Sequence, residues 1–366
     1  MKIGVPTEIK SQEGRVALLP PQVSDLTARG HDLYVQAGAG RLSGANDADY
    51  QSAGAQILES GEEVFKQADL IVKVKEILPP EFPFLEKRHI LLTNIHSAND
   101  RPQLDRLLEV GLIAIAAEDT HEFGSPNCPL AGEVGAFEGV RLTLAPHGGT
   151  GRHFMAHFGA PATKAVVLGL GQVGRGALRT LISLGLDVTG LDIHPGARKQ
   201  AELDWHHATY RSGEISDLPD LLPDMDLVVN CVLWPKHRDD HLISRADLAR
   251  MKPTAVIVDI SCDEAGAVET SRPTSWADPV YSVDGIRHFC VDNIPGAVPA
   301  TSSAGYAAAL LPHIRAIAEH GPLEACRRNG WLARGLTCIN GILTHDEAAR
   351  VQKRDHVPAP DYLKKA

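Results

Sequence analysis

The chain has 366 residues, with 46 acidic side chains against 36 basic ones and a net charge of -10. That length fits about two or three domains, and a hydrophobic share of 43% is ordinary for a globular fold. The acidic balance and the absence of a Lys/Arg run argue against nucleic-acid or anionic-membrane partners, and no apolar run reaches the roughly 18–20 residues of a membrane span.

The opening MKIGVPTEIK has no apolar segment, so it does not read as a secretory leader. Cys128, Cys231, Cys262, Cys290, Cys326 and Cys338 form no C-x-x-C pair. They are expected to be reduced thiols of a cytoplasmic protein, and no metal site is expected.

In chain order, 2–5 is a short apolar strand. Leu19, Val23 and Leu26 fall at helical spacing over 20–29, and Gly30 stops that helix. Residues 31–36 alternate as a strand, and 37–45 is a loop. DLIVKV at 69–74 and HILLT at 89–93 read as buried strands. The Pro-rich stretch 78–84 between them is expected to be non-helical. Residues 101–110 put Leu104, Leu107 and Leu108 on one helix face, with Gly111 as the stop, and 112–116 is another strand.

Residues 120–163 are less regular, with a helix expected over 133–144 and a turn over 147–151. The segment reads as a hinge into a second domain. Alternation then restarts, with strands over 165–168, 187–191, 226–230, 255–260 and 289–291 and a long helix over 304–318. The tail from 322 is mixed. Alternating strands and helices imply α/β architecture: two Rossmann-like domains with a cleft between them, the second a doubly wound parallel sheet. The expected division is 1–127 with 305–366 as substrate domain, and 128–304 as NAD domain.

The strongest local signal is Gly169-Leu-Gly171-Gln-Val173-Gly174. It follows an apolar strand, opens a helix over 175–184, and has Asp192 about 20 residues on. Gly169 allows a tight turn, Gly171 lets backbone approach a pyrophosphate, and Gly174 allows close helix–strand packing. The helix N-terminus offers free N–H groups to phosphate. Asp192 suits a ribose diol and repels a 2′-phosphate, which favours NAD over NADP, although His194 and Arg198 lie close by. Val173, Val232 and Ile260 complete the expected cofactor set.

Arg15, Lys75 and His96 each lie just past the carboxyl end of an expected strand, where α/β sheets bind ligands. By position alone, such a cation is more often simply solvated.

The blocks MKIGVPTEIK…Arg15-Val-Ala-Leu, Lys73-Val-Lys75-Glu76, His96, Met251-Lys-Pro…Val-Ile-Val-Asp259-Ile-Ser-Cys-Asp263, Val268-Glu-Thr-Ser-Arg-Pro-Thr and Asn293-Ile-Pro-Gly-Ala-Val-Pro299 resemble the alanine dehydrogenase and nicotinamide nucleotide transhydrogenase family. The resemblance runs to about residue 350 and is closer to the alanine dehydrogenase branch. His96 carries that distinction, because the transhydrogenase branch lacks a histidine there. The resemblance implies NAD-dependent oxidative deamination of a small 2-amino acid, alanine to pyruvate and ammonia. Arg15 would bind the substrate carboxylate, Lys75 would polarise the keto oxygen, and His96 would be general acid/base. Asp263 would assist with water and protons, and Asn293 would lie near nicotinamide and substrate. A homo-oligomer, a hexamer, is implied, with hinges near 125–135 and 298–306.

There are departures. The family places an aromatic residue where this chain has Asn94, an apolar one at Ser97, and Met-Ser-Glu at Ala131-Gly132-Glu133; the run 134–139 also differs. Smaller or more polar groups there suit a longer or more polar amino acid than alanine. The same Arg, Lys and His set resembles that of opine-type enzymes, which join an amino acid such as lysine or ornithine to a 2-keto acid. A non-catalytic NAD-binding module is the other alternative. The stretch with His147, His153 and His157 has no assigned role beyond a hinge.

Overall fold

The computed structural model describes residues 1–121, 125–206, 209–235, 238–262 and 266–365. Among these, the strands in chain order are Lys2–Val5 (β1), Asp32–Gln36 (β2), Gln56–Leu58 (β3), Leu70–Val72 (β4), Ile90–Thr93 (β5), Ile113–Ala116 (β6), Lys164–Leu168 (β7), Asp187–Leu191 (β8), Tyr210–Gly213 (β9), Leu227–Asn230 (β10), Val256–Asp259 (β11), Val280–Val283 (β12), Ile286–Phe289 (β13), Leu336–Ile339 (β14) and Ile342–Leu343 (β15). The chain forms two compact units, Met1–Pro126 with Val298–Ala366, and Asn127–Ala297. Residues 298–304, expected in the NAD half, pack with the first unit. Val298 caps, and 299–304 begin, the continuous helix Pro299–His320.

The first unit has the sheet order β15-β14-β6-β5-β4-β1-β2-β3. From β3 to β6 all neighbours are parallel. Parallel strands are buried on both faces and so read as unbroken apolar runs. Leu91 and Leu92, adjacent on β5, accordingly enter opposite cores. Leu92 packs with Val23, Leu26, Tyr306 and Ile314, and Leu91 with Phe65, Ile71 and Leu107. The second unit has the order β12-β13-β11-β10-β7-β8-β9, parallel except for the edge strand β12. Val166 and Val167 divide between two cores in the same way.

Both units repeat one plan. Their parallel strands run 3-2-1-4-5-6, and the order reverses at β1/β4 in one and at β7/β10 in the other. Connections diverge above and below the sheet at such a reversal. That opens a crevice at the carboxyl ends of the two central strands.

Several expectations need correction. The Pro-rich stretch forms a short 3-10 helix, Pro79–Phe84. Pro79 and Pro80 stand at its first positions, where a missing N–H costs nothing. The helix expected from 133 begins at Asn127 and runs to Leu142. The strand expected at 289–291 is β13, ending at Phe289. It pairs antiparallel with β12 through Asp284-Gly285, both at positive φ (48° and 88°). Asn340-Gly341 (50° and 78°) joins β14 to β15 in the same manner. Asp-Gly and Asn-Gly are the residues that a two-residue hairpin turn of this hand demands.

Gly132 also has a different meaning from added pocket room. The helix Asn127–Leu142 lies against the helix Gln172–Leu184, and a Cβ at Gly132 would stand 1.9 Å from the Val173 carbonyl oxygen. The missing side chain is occupied by backbone. Gly132→Ala should therefore destabilise the protein by about 1–3 kcal/mol. Urea denaturation would show this as a lowered midpoint at unchanged slope.

Candidate active site

In the first unit the ionisable residues collect where β1, β4 and β5 end side by side. Arg15 follows β1 and is 4% exposed. Glu13 chelates it: Oε1 accepts from Arg15 Nε at 2.8 Å and from the Arg15 backbone N–H at 2.9 Å, and Oε2 lies 2.5 Å from Nη2. This bidentate pair takes the Nε and Nη2 edge of the guanidinium and fixes its position.

Lys73 and Lys75 follow β4, and both are buried. Lys73 bonds Glu81 Oε1, and its Nζ lies 3.6 Å from Glu8 Oε2. Burial alone would lower its ammonium, but Glu8 and Glu81 outweigh burial and hold it above the ordinary lysine value. Burial pushes the Glu8 carboxyl up, against Lys73 and the Val74 amide. Lys75 is in the opposite condition. Burial lowers its ammonium, with Lys10 and Arg15 adding to the effect and Glu76 opposing it. Burial would raise the Glu76 carboxyl, yet Lys75 and Lys10 overcome this and hold it at about 2. Glu76 Oε2 is 3.8 Å from Lys75 Nζ, and Glu76 Oε1 accepts from Lys10 at 2.9 Å. An ammonium held low gives up its proton more readily, which suits a group that must share a proton with a substrate oxygen.

The backbone beneath Lys75 is held from both sides. Glu8 Oε1 accepts from the Val74 amide at 2.6 Å and the Lys75 amide at 3.3 Å. Thr93, at the end of β5, donates its hydroxyl to the Lys75 carbonyl at 2.6 Å. His96 lies three residues further on, at φ 49° with its side chain half exposed. Glu118 accepts from the Ile95 and His96 amides at 3.0 and 2.6 Å, and its Oε1 is 3.6 Å from His96 Nδ1. One carboxylate thus fixes the strained backbone and faces the imidazole.

In the second unit the glycine loop lies at the β7/β10 reversal. Gly169 turns at φ 83°, and a Cβ there would press on Val232 and Cys231 at 3.1–3.2 Å. A Cβ at Gly174 would lie 1.8 Å from the Gly169 carbonyl oxygen. Gly171 differs, because a Cβ there would meet nothing within 4 Å. It is the N-cap of the helix Gln172–Leu184 and offers no capping side chain to the first amides. Open space in front of free helix N–H groups is what a pyrophosphate requires. A cavity of about 540 Å³ opens there, lined by Gly169, Gly171, Asp192, Val232 and Trp234 among others. These residues fit a dinucleotide.

Asp192 is buried, and its carboxylate accepts from the Leu170 and His194 amides at 2.7 Å each. The acid expected to meet a ribose therefore also clamps the loop. Arg198, expected to oppose the NAD preference, is engaged elsewhere: it donates to the Asp192 carbonyl at 2.7 Å and to Glu214 at 3.0 Å. Ile260 packs against Gly135, and Val173 turns its carbonyl to Gly132; neither lines the described cavity. Asn293 is buried, and its backbone carbonyl accepts from Trp276 Nε1 at 3.1 Å. Asp263 lies outside the described residues. His147, His153 and His157 form no metal cluster among the described residues. His153 stacks on Phe154 at 4.1 Å, and His147 gives its carbonyl to Arg287.

Sequence reasoning missed Glu8, Glu13, Glu81 and Glu118, the carboxylates that hold the cations and the His96 segment. Glu13 was legible beside Arg15. Glu81 was not, because the 3-10 helix that delivers it was read as non-helical. Lys73→Met would leave the buried Glu8 and Glu81 carboxylates without their shared counter-charge, at a cost of about 3–5 kcal/mol. Burial already raises the Glu8 carboxyl, and a raised carboxyl contributes stability below its unfolded-state value that is lost as pH rises through the folded one. The loss on urea unfolding should accordingly be smaller at pH 5 than at pH 8.

The pattern of "Alanine dehydrogenase/PNT, N-terminal domain" matches residues 4–125, and that of the C-terminal domain matches 136–346. Alanine dehydrogenase of Mycobacterium tuberculosis is 36% identical over 358 residues, 95% of this chain and 96% of that protein. That of Bacillus subtilis is 35% identical over 371 residues, 99% of this chain and 98% of its own. A solved L-alanine dehydrogenase superposes with a TM-score of 0.89 at 34% identity, covering 96% of this chain and 99% of its own. A transhydrogenase from Sinorhizobium meliloti, at 23% identity, shares the fold with a TM-score of 0.77.

Proposed function

Because the chain belongs to the alanine dehydrogenase/PNT family, we propose that it is an NAD-dependent dehydrogenase that reversibly deaminates a small 2-amino acid, alanine to pyruvate and ammonia. The observation that carries this reading is the assembly of Arg15, Lys75 and His96 at the carboxyl ends of three adjacent strands, in a chain matching alanine dehydrogenases along nearly its whole length. The first unit supplies the substrate groups and the second the cofactor cradle.

Arg15, held by Glu13, anchors the carboxylate. The cavity at Gly169, Gly171 and Asp192 would hold NAD, whose nicotinamide would supply the hydride acceptor for the oxidation at Cα. His96 removes the proton from the attacking water and later protonates the departing amine. Lys75 hydrogen-bonds the developing carbonyl oxygen, and its depressed ammonium lets it share that proton. Asp263 assists with water and protons, and Asn293 would lie near the nicotinamide and the substrate. The Asp192 carboxylate disfavours a 2′-phosphate by charge, so NAD rather than NADP is the cofactor. The protein is assigned to the cytoplasm and to a homo-hexamer by family resemblance.

The test is NADH oxidation with pyruvate and ammonia as the only other substrates. Turnover is expected without added amine, whereas dependence on lysine or ornithine would indicate the opine reaction. His96→Ala should lower kcat by about 10²–10⁴-fold while NADH binding, followed by fluorescence, is retained. Near-full turnover by that variant would refute the acid/base assignment.

A further inference from the structure

The residue before Ile95 and His96 is Asn94, and it is unsatisfied. Its backbone lies between two pinned points, the Thr93 hydroxyl on the Lys75 carbonyl and the Ile95 and His96 amides on Glu118. The residue is 7% exposed. Its Oδ1 has no hydrogen-bond partner among the described residues. Buried side-chain oxygens are nearly always paired, and one held in a rigid segment without a partner is an acceptor awaiting a donor.

Asn94 is not isolated in this respect. At the same carboxyl edge, Thr7 Oγ1, Glu8 Oε2 and Glu76 Oε2 are also buried without a hydrogen bond. The two carboxylate oxygens stand 3.6 and 3.8 Å from lysine ammoniums, within charge attraction but beyond hydrogen-bond length. An alkyl side chain entering such a site would leave its acceptors unpaired, and a donor would satisfy one. The donor is best neutral, because Glu8, Glu13, Glu76 and Glu81 already face Arg15, Lys73 and Lys75, and a further ammonium would stand beside those cations without a counter-charge of its own.

We infer that Asn94 reads the substrate side chain, and that the site takes 2-amino acids bearing a hydroxyl on Cβ, serine above an apolar side chain of the same size. The inference rests on the dehydrogenase reading and refines its substrate. In the serine reaction the Cα–H bond breaks and its hydride passes to NAD. Water then adds to the imine carbon, and the C–N bond breaks. The products are 3-hydroxypyruvate, ammonium, NADH and one proton.

The experiment compares kcat/KM for L-serine, L-2-aminobutyrate, L-alanine and L-2,3-diaminopropionate with NAD on the full chain. Serine and 2-aminobutyrate differ by a hydroxyl in place of a methyl. Serine is expected to lead 2-aminobutyrate by about tenfold, the worth of one buried hydrogen bond. It should also exceed the diamino acid. Asn94→Leu, close in volume, should bring the serine to 2-aminobutyrate ratio to one or below. Equal or reversed preference in the unaltered protein overturns the inference while alanine turnover leaves the dehydrogenase reading standing. Preference for the diamino acid overturns the hydroxyl assignment. No turnover of any of the four removes the dehydrogenase reading as well. Because the preference of the unaltered protein decides by itself, a variant that fails to fold does not remove the test.

Discussion

Two lysines lie buried at the end of one strand, and much of the first unit is arranged to make that tolerable. An ammonium leaves water at a cost of several kcal/mol unless opposite charge and hydrogen bonds meet it. Lys73 is met by Glu8 from the end of β1 and by Glu81 from the 3-10 helix Pro79–Phe84. Lys75 is met more weakly, by Glu76 at 3.8 Å. The asymmetry separates their chemistry. Lys73 is held charged and structural, whereas Lys75 is left depressed and available. Glu8 serves both, with one oxygen near the Lys73 ammonium and the other on the backbone that carries Lys75.

The same economy appears in the second unit. Asp192 holds the glycine loop through Leu170 while lining the cavity in front of that loop. Gly174 is required by a carbonyl that a Cβ would strike, and Gly171 by the open space in front of it. Gly132 belongs to this set although it stands outside the motif, because it admits the Val173 carbonyl and so seats the helix that bears the loop. A family departure that looks like a widened pocket from sequence is, at this position, a closer packing of backbone. Asn94 is a departure of another kind, since its buried oxygen has no hydrogen-bond partner among the described residues.

The legible parts of the fold were the local ones. Apolar runs marked β5 and β8, leucines at helical spacing marked Arg101–Val110, and the glycine motif marked the turn from β7 into its helix. The repeated 3-2-1-4-5-6 order was beyond reach, because strand neighbours are chosen by burial across the sheet and leave no spacing in the chain. The hairpins at Asp284-Gly285 and Asn340-Gly341 were readable in principle, but their strands are too short to alternate convincingly. Of the site, the cations and the imidazole stood out beside apolar strands. Their carboxylate partners did not, since Glu81 reaches Lys73 only through a helix formed where proline pairs suggested none, and Glu118 reaches His96 from the end of the next strand.

The central claim is that hydride leaves Cα of an amino acid for the nicotinamide. Incubation with NAD and alanine deuterated at Cα tests it directly, with the label located by NMR. The account predicts deuterium at C4 of the nicotinamide in NADH, with ammonium and pyruvate formed in equal amount. Deuterium lost to water, or retained in alanine while NAD binds without turnover, would contradict it.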